Sequence, residues 1–133
     1  MDKKTDDEFN KWNRKKQETH IEKQRPFFHE REVWFCSLGV NIGFEQDGRG
    51  LDFLRPVMIL KKFNNQIFWA LPMTKNVKEG KYYYVVSIGA RKQSALILSQ
   101  IRLVDAKRLA YKIGAVKQED LAIIKQKIKQ LLA

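Results

Sequence analysis

Glu45, Gln46, Arg55 and Thr74 are the residues whose types and placement could do chemistry in this chain. Glu45 and Gln46 sit inside Gly43-Phe44-Glu45-Gln46-Asp47-Gly48, and Arg55-Pro56 opens the apolar run Val57-Met58-Ile59-Leu60. The layout puts a carboxylate and a permanently charged guanidinium on one loop, at the mouth of a β-structure. Each residue also fits a plainer role. Glu45-Gln46 reads equally as a solvated loop, Arg55 as an ion-pair partner of Glu45 or Asp52, and Thr74 as an ordinary strand-end residue after Pro72.

Other chemistries leave no mark. There is no Gly-rich phosphate loop, metal-ligand cluster or Ser-His-Asp pattern. A single cysteine, Cys36, excludes an internal disulfide and a Cys-cluster zinc site, and its strand-like surroundings make it a small core residue. His20 falls in a charged helical segment and reads as a surface residue. His29 precedes Glu30-Arg31 and gives only weak support to a two-histidine mechanism.

The chain has 133 residues, enough for one domain with a real core, and a formal net charge of +11. Its basic residues are scattered, which favours a folded basic face over a disordered arm. Nucleic acid, an acidic protein or a merely solvated surface would each suit that charge. No apolar run reaches the roughly 18 residues of a membrane span. The N-terminus lacks an apolar signal core, so the expected location is cytoplasmic, with no membrane partner.

Around the constellation the sequence predicts short strands between helices. Residues 6–22 read as a helix, with Asp6, Asp7 and Glu8 early, lysines later, and Phe9 and Trp12 on one face ready to dock. It should end before Arg25-Pro26. Strands are expected over 31–38, 55–62, 66–74, 81–88 and 94–99, with 100–104 continuing the last or pairing separately. The run 57–60 suits a strand buried on both faces, and Asn64-Asn65 a hairpin turn. Asp105 should cap a short helix through Leu109 that Gly114 closes. Leu121, Ile124, Ile128 and Leu131 mark a final amphipathic helix of about 14 residues. Periodicity thus gives a mainly β fold with α, a small barrel or sandwich carrying a helix at each end.

The order of these pieces resembles the MazF/PemK toxin family. Gly43-Phe44-Glu45-Gln46-Asp47-Gly48 leading to Arg55-Pro56-Val57 is similar to its Gly-x-Glu-Gln-x-Gly and Arg-Pro-Val elements. Val33-Trp34-Phe35-Cys36-Ser37-Leu38-Gly39 resembles its first strand, and Leu71-Pro72-Met73-Thr74 the strand that brings in Thr or Ser. Gln100-Ile101-Arg102, Asp105 and Arg108-Leu109 follow in the family's order. The resemblance covers residues 27–133. It implies a toxin domain there, a small SH3-like, CcdB-PemK-type β-barrel with a C-terminal helix, and a helical extension over residues 1–26.

What the resemblance implies chemically is a metal-independent, sequence-specific endoribonuclease of a toxin–antitoxin system that needs no cofactor. The RNA 2′-OH would attack the adjacent phosphate, leaving a 2′,3′-cyclic phosphate and a 5′-OH end. Arg55 would stabilise charge on the phosphate, Thr74 would add a hydroxyl donor, and Glu45 would be the base, with Gln46 ordering the loop and touching RNA. Lys75, Lys78, Lys81 and Arg91 are candidate phosphate contacts. Phe53, Trp69, Tyr82 and Tyr84 are candidate stacking platforms for single-stranded RNA. The implied partners are that RNA, a cognate antitoxin with an acidic segment, and a second copy in a homodimer.

Two departures stand out. The stretch Arg49-Gly50-Leu51-Asp52-Phe53-Leu54 is longer than in the commonest members, so substrate preference does not carry over. The segment before Phe27 lies beyond the minimal toxin. Rival readings are a non-catalytic barrel that binds nucleic acid or protein, and a gyrase-inhibiting toxin of the same fold. A regulator should show a helix-turn-helix or ribbon-helix-helix pattern, and neither is present.

Overall fold

The structure, a computed structural model, describes residues 5–50, 52–88 and 93–133. Helix α1 spans Asp6–Ile21. Thr5 caps it, its hydroxyl accepting from the Glu8 amide at 3.1 Å, and three acids fill the first turn. It ends where expected, before Arg25-Pro26. Of its two expected anchors only Trp12 docks fully, at 6% exposure, while Phe9 stays 40% exposed.

Among the described residues seven strands follow: β1 Glu32–Ser37, β2 Leu54–Lys62, β3 Ile67–Thr74, β4 Tyr83–Val86, β5 Ser94–Ile97, β6 Arg102–Asp105 and β7 Leu109–Ala115. They form one antiparallel sheet in the order β4-β5-β3-β2-β1-β7, with β6 also on β3. The mainly β class with a helix at each end is as expected. Among the described residues the hydrogen-bonded path stays open, ending at β4 and β7, and so does not close into a barrel.

Strand β2 is buried on both faces. Met58 and Leu60 face one core with Val33, Leu71, Leu96 and Leu98. Val57 and Ile59 face a second core with Phe28, Cys36, Phe68 and Val104. Each buried side chain of this size contributes about 1.5–3 kcal/mol of transfer free energy. Helix α2, Gln118–Leu132, covers the first core with Leu121 and Ile124, and Ile128 and Leu131 pack at its edge. The Tyr84 hydroxyl donates to Asp120 at 2.7 Å and ties β4 to that helix. Burial first, and then Asp120, push the Tyr84 phenol up to about 12. Among the described residues no helix is long and apolar enough to cross a membrane.

Asn64 closes the β2–β3 hairpin, its side-chain oxygen accepting from the Gln66 and Ile67 amides at 2.8 and 3.0 Å. Of the expected stretch 100–104, residues 102–104 do pair separately, on β3 with Asp105, after a 3₁₀ turn at Leu98–Gln100. The short helix expected after Asp105 is corrected. Asp105 caps only one 3₁₀ turn, Ala106–Arg108, and the chain then enters edge strand β7 beside β1. Two register shifts in that pairing break the period-2 alternation that would have marked a strand. Gly114 lies inside β7 rather than at a helix stop. A Cβ there would come 2.3 Å from the Ile88 Cγ2, so the strand needs glycine for close approach.

Candidate active site

Two consecutive strands bring the central pair together. Arg55 stands near the start of β2, opposite Cys36 of β1, and Thr74 ends β3. The Arg55 Nε donates to the Asp47 carbonyl, and its Nη1 donates to the Met73 carbonyl at 3.0 Å. These bonds fix the plane of the guanidinium and leave Nη2 without a partner among the described residues. Burial pulls the Arg55 pKa down from its ordinary value, Arg49 adds to that, and Asp47 opposes it. An arginine in this setting still carries its charge.

A cavity of about 440 Å³ opens in front of the pair, lined by Arg55, Thr74, Lys75, Asn76, Arg49 and Phe35, with Ser94 and apolar residues behind. The Thr74 hydroxyl accepts from the Asn76 amide at 3.2 Å, which leaves its own hydrogen to donate. Three basic side chains, a hydroxyl and an amide on an apolar floor suit a phosphate with an attached ring. Among the described residues the wall includes no carboxylate and no imidazole.

Glu45 and Gln46 open elsewhere. They line a neighbouring cavity of about 730 Å³ with Asn41, Phe44, Gln100 and Arg102. The Glu45 carboxylate accepts from the Ile42 amide at 3.0 Å and so caps its own turn. Gln100, at the end of the 3₁₀ turn before β6, clamps that turn. Its oxygen accepts from the Gln46 amide at 2.9 Å, and its nitrogen donates to the Phe44 carbonyl at 3.2 Å. Asn41 closes the inside of the loop through the Leu38 and Gln46 carbonyls. The Glu-Gln element therefore reaches Arg55 through backbone, by way of the Asp47 carbonyl, and not by placing its carboxylate in the Arg55 cavity.

The remaining candidates divide. Lys75 lines the Arg55 cavity, whereas Lys78 and Lys81 lie over the rings of Tyr83 and Tyr82 at 5.8 and 5.1 Å. Arg91 lies outside the described residues. Phe53 is buried, its ring 5.3 Å from that of Trp12, and offers no face to a base. Trp69 packs edge-on to Phe63 near the opposite end of β3 from Thr74. Tyr84 is tied to Asp120. The exposed imidazole of His29 faces Glu32 at 3.4 Å, and His20 lies on α1. Burial pushes the Cys36 thiol up to about 12, so it stays a core residue.

Arg49, Asn76 and Phe35 join the site without having been singled out. Arg49 is held by paired 2.8 Å backbone bonds to Leu54, and its basic charge in the loop was the available signal. Phe35 stands on β1, two residues past Val33 of the buried core, with its ring 4.9 Å from that of Tyr111.

Solved structures share the fold. Toxin MazF-mt6 of Mycobacterium tuberculosis superposes with a TM-score of 0.60 at 17% identity, over 77% of this chain and 96% of that one. MazF of Deinococcus radiodurans gives 0.62 at 16%, over 83% and 98%. A mycobacterial endoribonuclease solved with its cognate antitoxin gives 0.61 at 14%, over 80% and 94%. No curated protein matches the sequence significantly. At the level of sequence pattern, residues 29–132 match the PemK-like, MazF-like toxins of type II toxin–antitoxin systems, and the chain belongs to that family.

Proposed function

We propose that the chain is an endoribonuclease toxin that cuts single-stranded RNA at the Arg55–Thr74 cavity. The observation that carries this reading is the convergence of a backbone-locked guanidinium and a free hydroxyl donor on one cationic cavity. The scissile phosphate sits against Arg55 Nη2 and the Thr74 hydroxyl, with Lys75 and Arg49 beside it. As the 2′-OH attacks, charge grows on the phosphate oxygens, and fixed donors stabilise that charge without reorganising. The 2′-oxygen–phosphorus bond forms as the 2′-OH gives its proton to solvent water in the open cavity, the bond to the 5′-oxygen breaks as that oxygen takes a proton from water, and the products are a 2′,3′-cyclic phosphate and a 5′-OH. Glu45 acts on the loop and on flanking RNA, with Gln46, instead of taking the 2′-OH proton. Lys78 and Lys81 extend the basic surface for the strand.

Residues 27–133 form the toxin domain on this reading, residues 1–26 its extension. The site is cytoplasmic, and its partners are RNA, an antitoxin with an acidic segment, and a second copy of the chain. The net charge of +11 supports both acidic partners. MazF of Deinococcus radiodurans has also been solved with MazE, at a TM-score of 0.55 to this chain.

The test is incubation of purified protein with a long single-stranded RNA in EDTA, followed by end-mapping. Discrete cuts with 5′-OH ends support the reading. Intact RNA from folded, antitoxin-free protein across several unrelated sequences overturns it.

A further inference from the structure

We propose that Trp12 of α1 is a positioning residue for Arg55, which makes the N-terminal helix a brace for the active-site loop; this rests on the ribonuclease reading above. The helix lies outside the stretch that matches the toxin family, residues 29–132. Its other side chains are mostly exposed, and the Trp12 indole alone is buried, in a small cluster with Val40 and Phe53.

The fit is specific to glycine. A Cβ on Gly39 would lie 1.9 Å from the indole, and Gly39 has φ +81°, so both space and backbone exclude a side chain. The Phe53 ring packs against the indole, tilted, at 5.3 Å between centroids, and the Arg108 guanidinium lies 5.6 Å from the Trp12 ring. Lys15, one turn along, pairs with Asp52 at 3.3 Å.

From Gly39 the contacts run straight to the site. The Gly39 carbonyl accepts from the Gly48 amide at 2.7 Å. The Phe53 carbonyl accepts from the Leu38 and Gly39 amides at 3.0 and 3.3 Å. A Cβ on Gly48 would fall 1.5 Å from that same carbonyl, so the two arms of the loop touch backbone to backbone. Asp47, beside Gly48, gives Arg55 Nε its acceptor. Trp12 thus presses together the two arms whose separation sets the Asp47 carbonyl, and with it the guanidinium. A misplacement of about 1 Å at such a group costs on the order of 10²-fold in rate.

The experiment compares full-length wild type, Trp12→Phe and Trp12→Ala by amide hydrogen exchange and by RNA cleavage. For Trp12→Ala, exchange at Gly39 and Gly48 should rise at least about tenfold while β2 and β3 amides hold. Cleavage at saturating RNA should fall about tenfold to a hundredfold with KM little changed. Trp12→Phe should fall between. If Trp12→Ala does not fold, Trp12→Phe decides: faster exchange at Gly39 and Gly48 supports the brace, and unchanged exchange overturns it. A folded Trp12→Ala with unchanged exchange and rate overturns it, as does a loss in KM alone. Should wild type cut no RNA, the ribonuclease reading fails while exchange at Gly39 and Gly48 still decides whether Trp12 holds the loop.

Discussion

Arg55 donates through Nη1 to the carbonyl of Met73 at 3.0 Å, which sets the guanidinium one peptide from Thr74. That bond joins the start of β2 to the end of β3 and makes the cation part of the sheet's own geometry. It also means that charge alone will not substitute for the arginine.

Arg55→Lys should therefore recover little activity. A lysine keeps the charge but cannot donate to the Asp47 and Met73 carbonyls while presenting a fork to phosphate. The expected loss in cleavage rate is about 10²-fold or more, close to that of losing a transition-state donor outright. Thr74→Ser, which keeps the hydroxyl, should stay within about tenfold of wild type, and rates on one defined RNA would show the contrast.

Glu45→Gln should retain activity within about tenfold, well short of the ~10²–10⁴-fold lost with a general acid or base. The carboxylate caps the Ile42 amide and opens on the neighbouring cavity. A loss as deep as that of an Arg55 variant would make Glu45 the base after all.

Gly48→Ala should destabilise the fold by about 1–3 kcal/mol, the usual cost of overpacking. The new methyl would meet the Phe53 carbonyl, a backbone atom that cannot swing away. Cleavage should drop further than stability does, because Asp47 moves with its neighbour. Urea denaturation and single-turnover cleavage on the same preparation separate the two effects.

Acid should unfold the protein partly through Glu32. Burial raises its pKa, but bonds from Lys112 at 2.9 Å, the Trp34 indole at 3.0 Å and the His29 amide at 2.8 Å outweigh that and lower it overall. A depressed carboxylate contributes stability that is fully present above its unfolded value, near pH 4.3, and lost as pH falls through the folded value. Asp105, lowered by its paired bonds to Arg25, acts in the same direction. Glu32→Gln should lower stability at pH 7 by up to about 3 kcal/mol and flatten the decline below pH 4.3. An unchanged slope in a pH series of denaturation midpoints would remove Glu32 from this account.

The sequence made Arg55 and Thr74 legible because each sits at an end of a strand with a strong apolar pattern, β2 and β3. The two-faced burial of β2 and the stripe of α2 were legible for the same reason. The opening of Glu45 on the neighbouring cavity was not legible, because the turn that carries it is clamped at the Gln46 amide by Gln100, 54 residues further along the sequence. Phe53 read as a free aromatic, and its burial is set by Trp12 on a helix that local pattern could not orient. Strand β7 was hidden by two register shifts, which local periodicity cannot show.

The most direct measurement is the cleavage rate of one defined single-stranded RNA by wild type and Arg55→Ala, in EDTA, with both proteins shown folded by denaturation. The account predicts cuts ending in 2′,3′-cyclic phosphate and 5′-OH, and a loss of about 10²–10³-fold in the variant. Equal rates in the two proteins would contradict it, and would put any cutting at a site other than the one that Arg55 and Thr74 form.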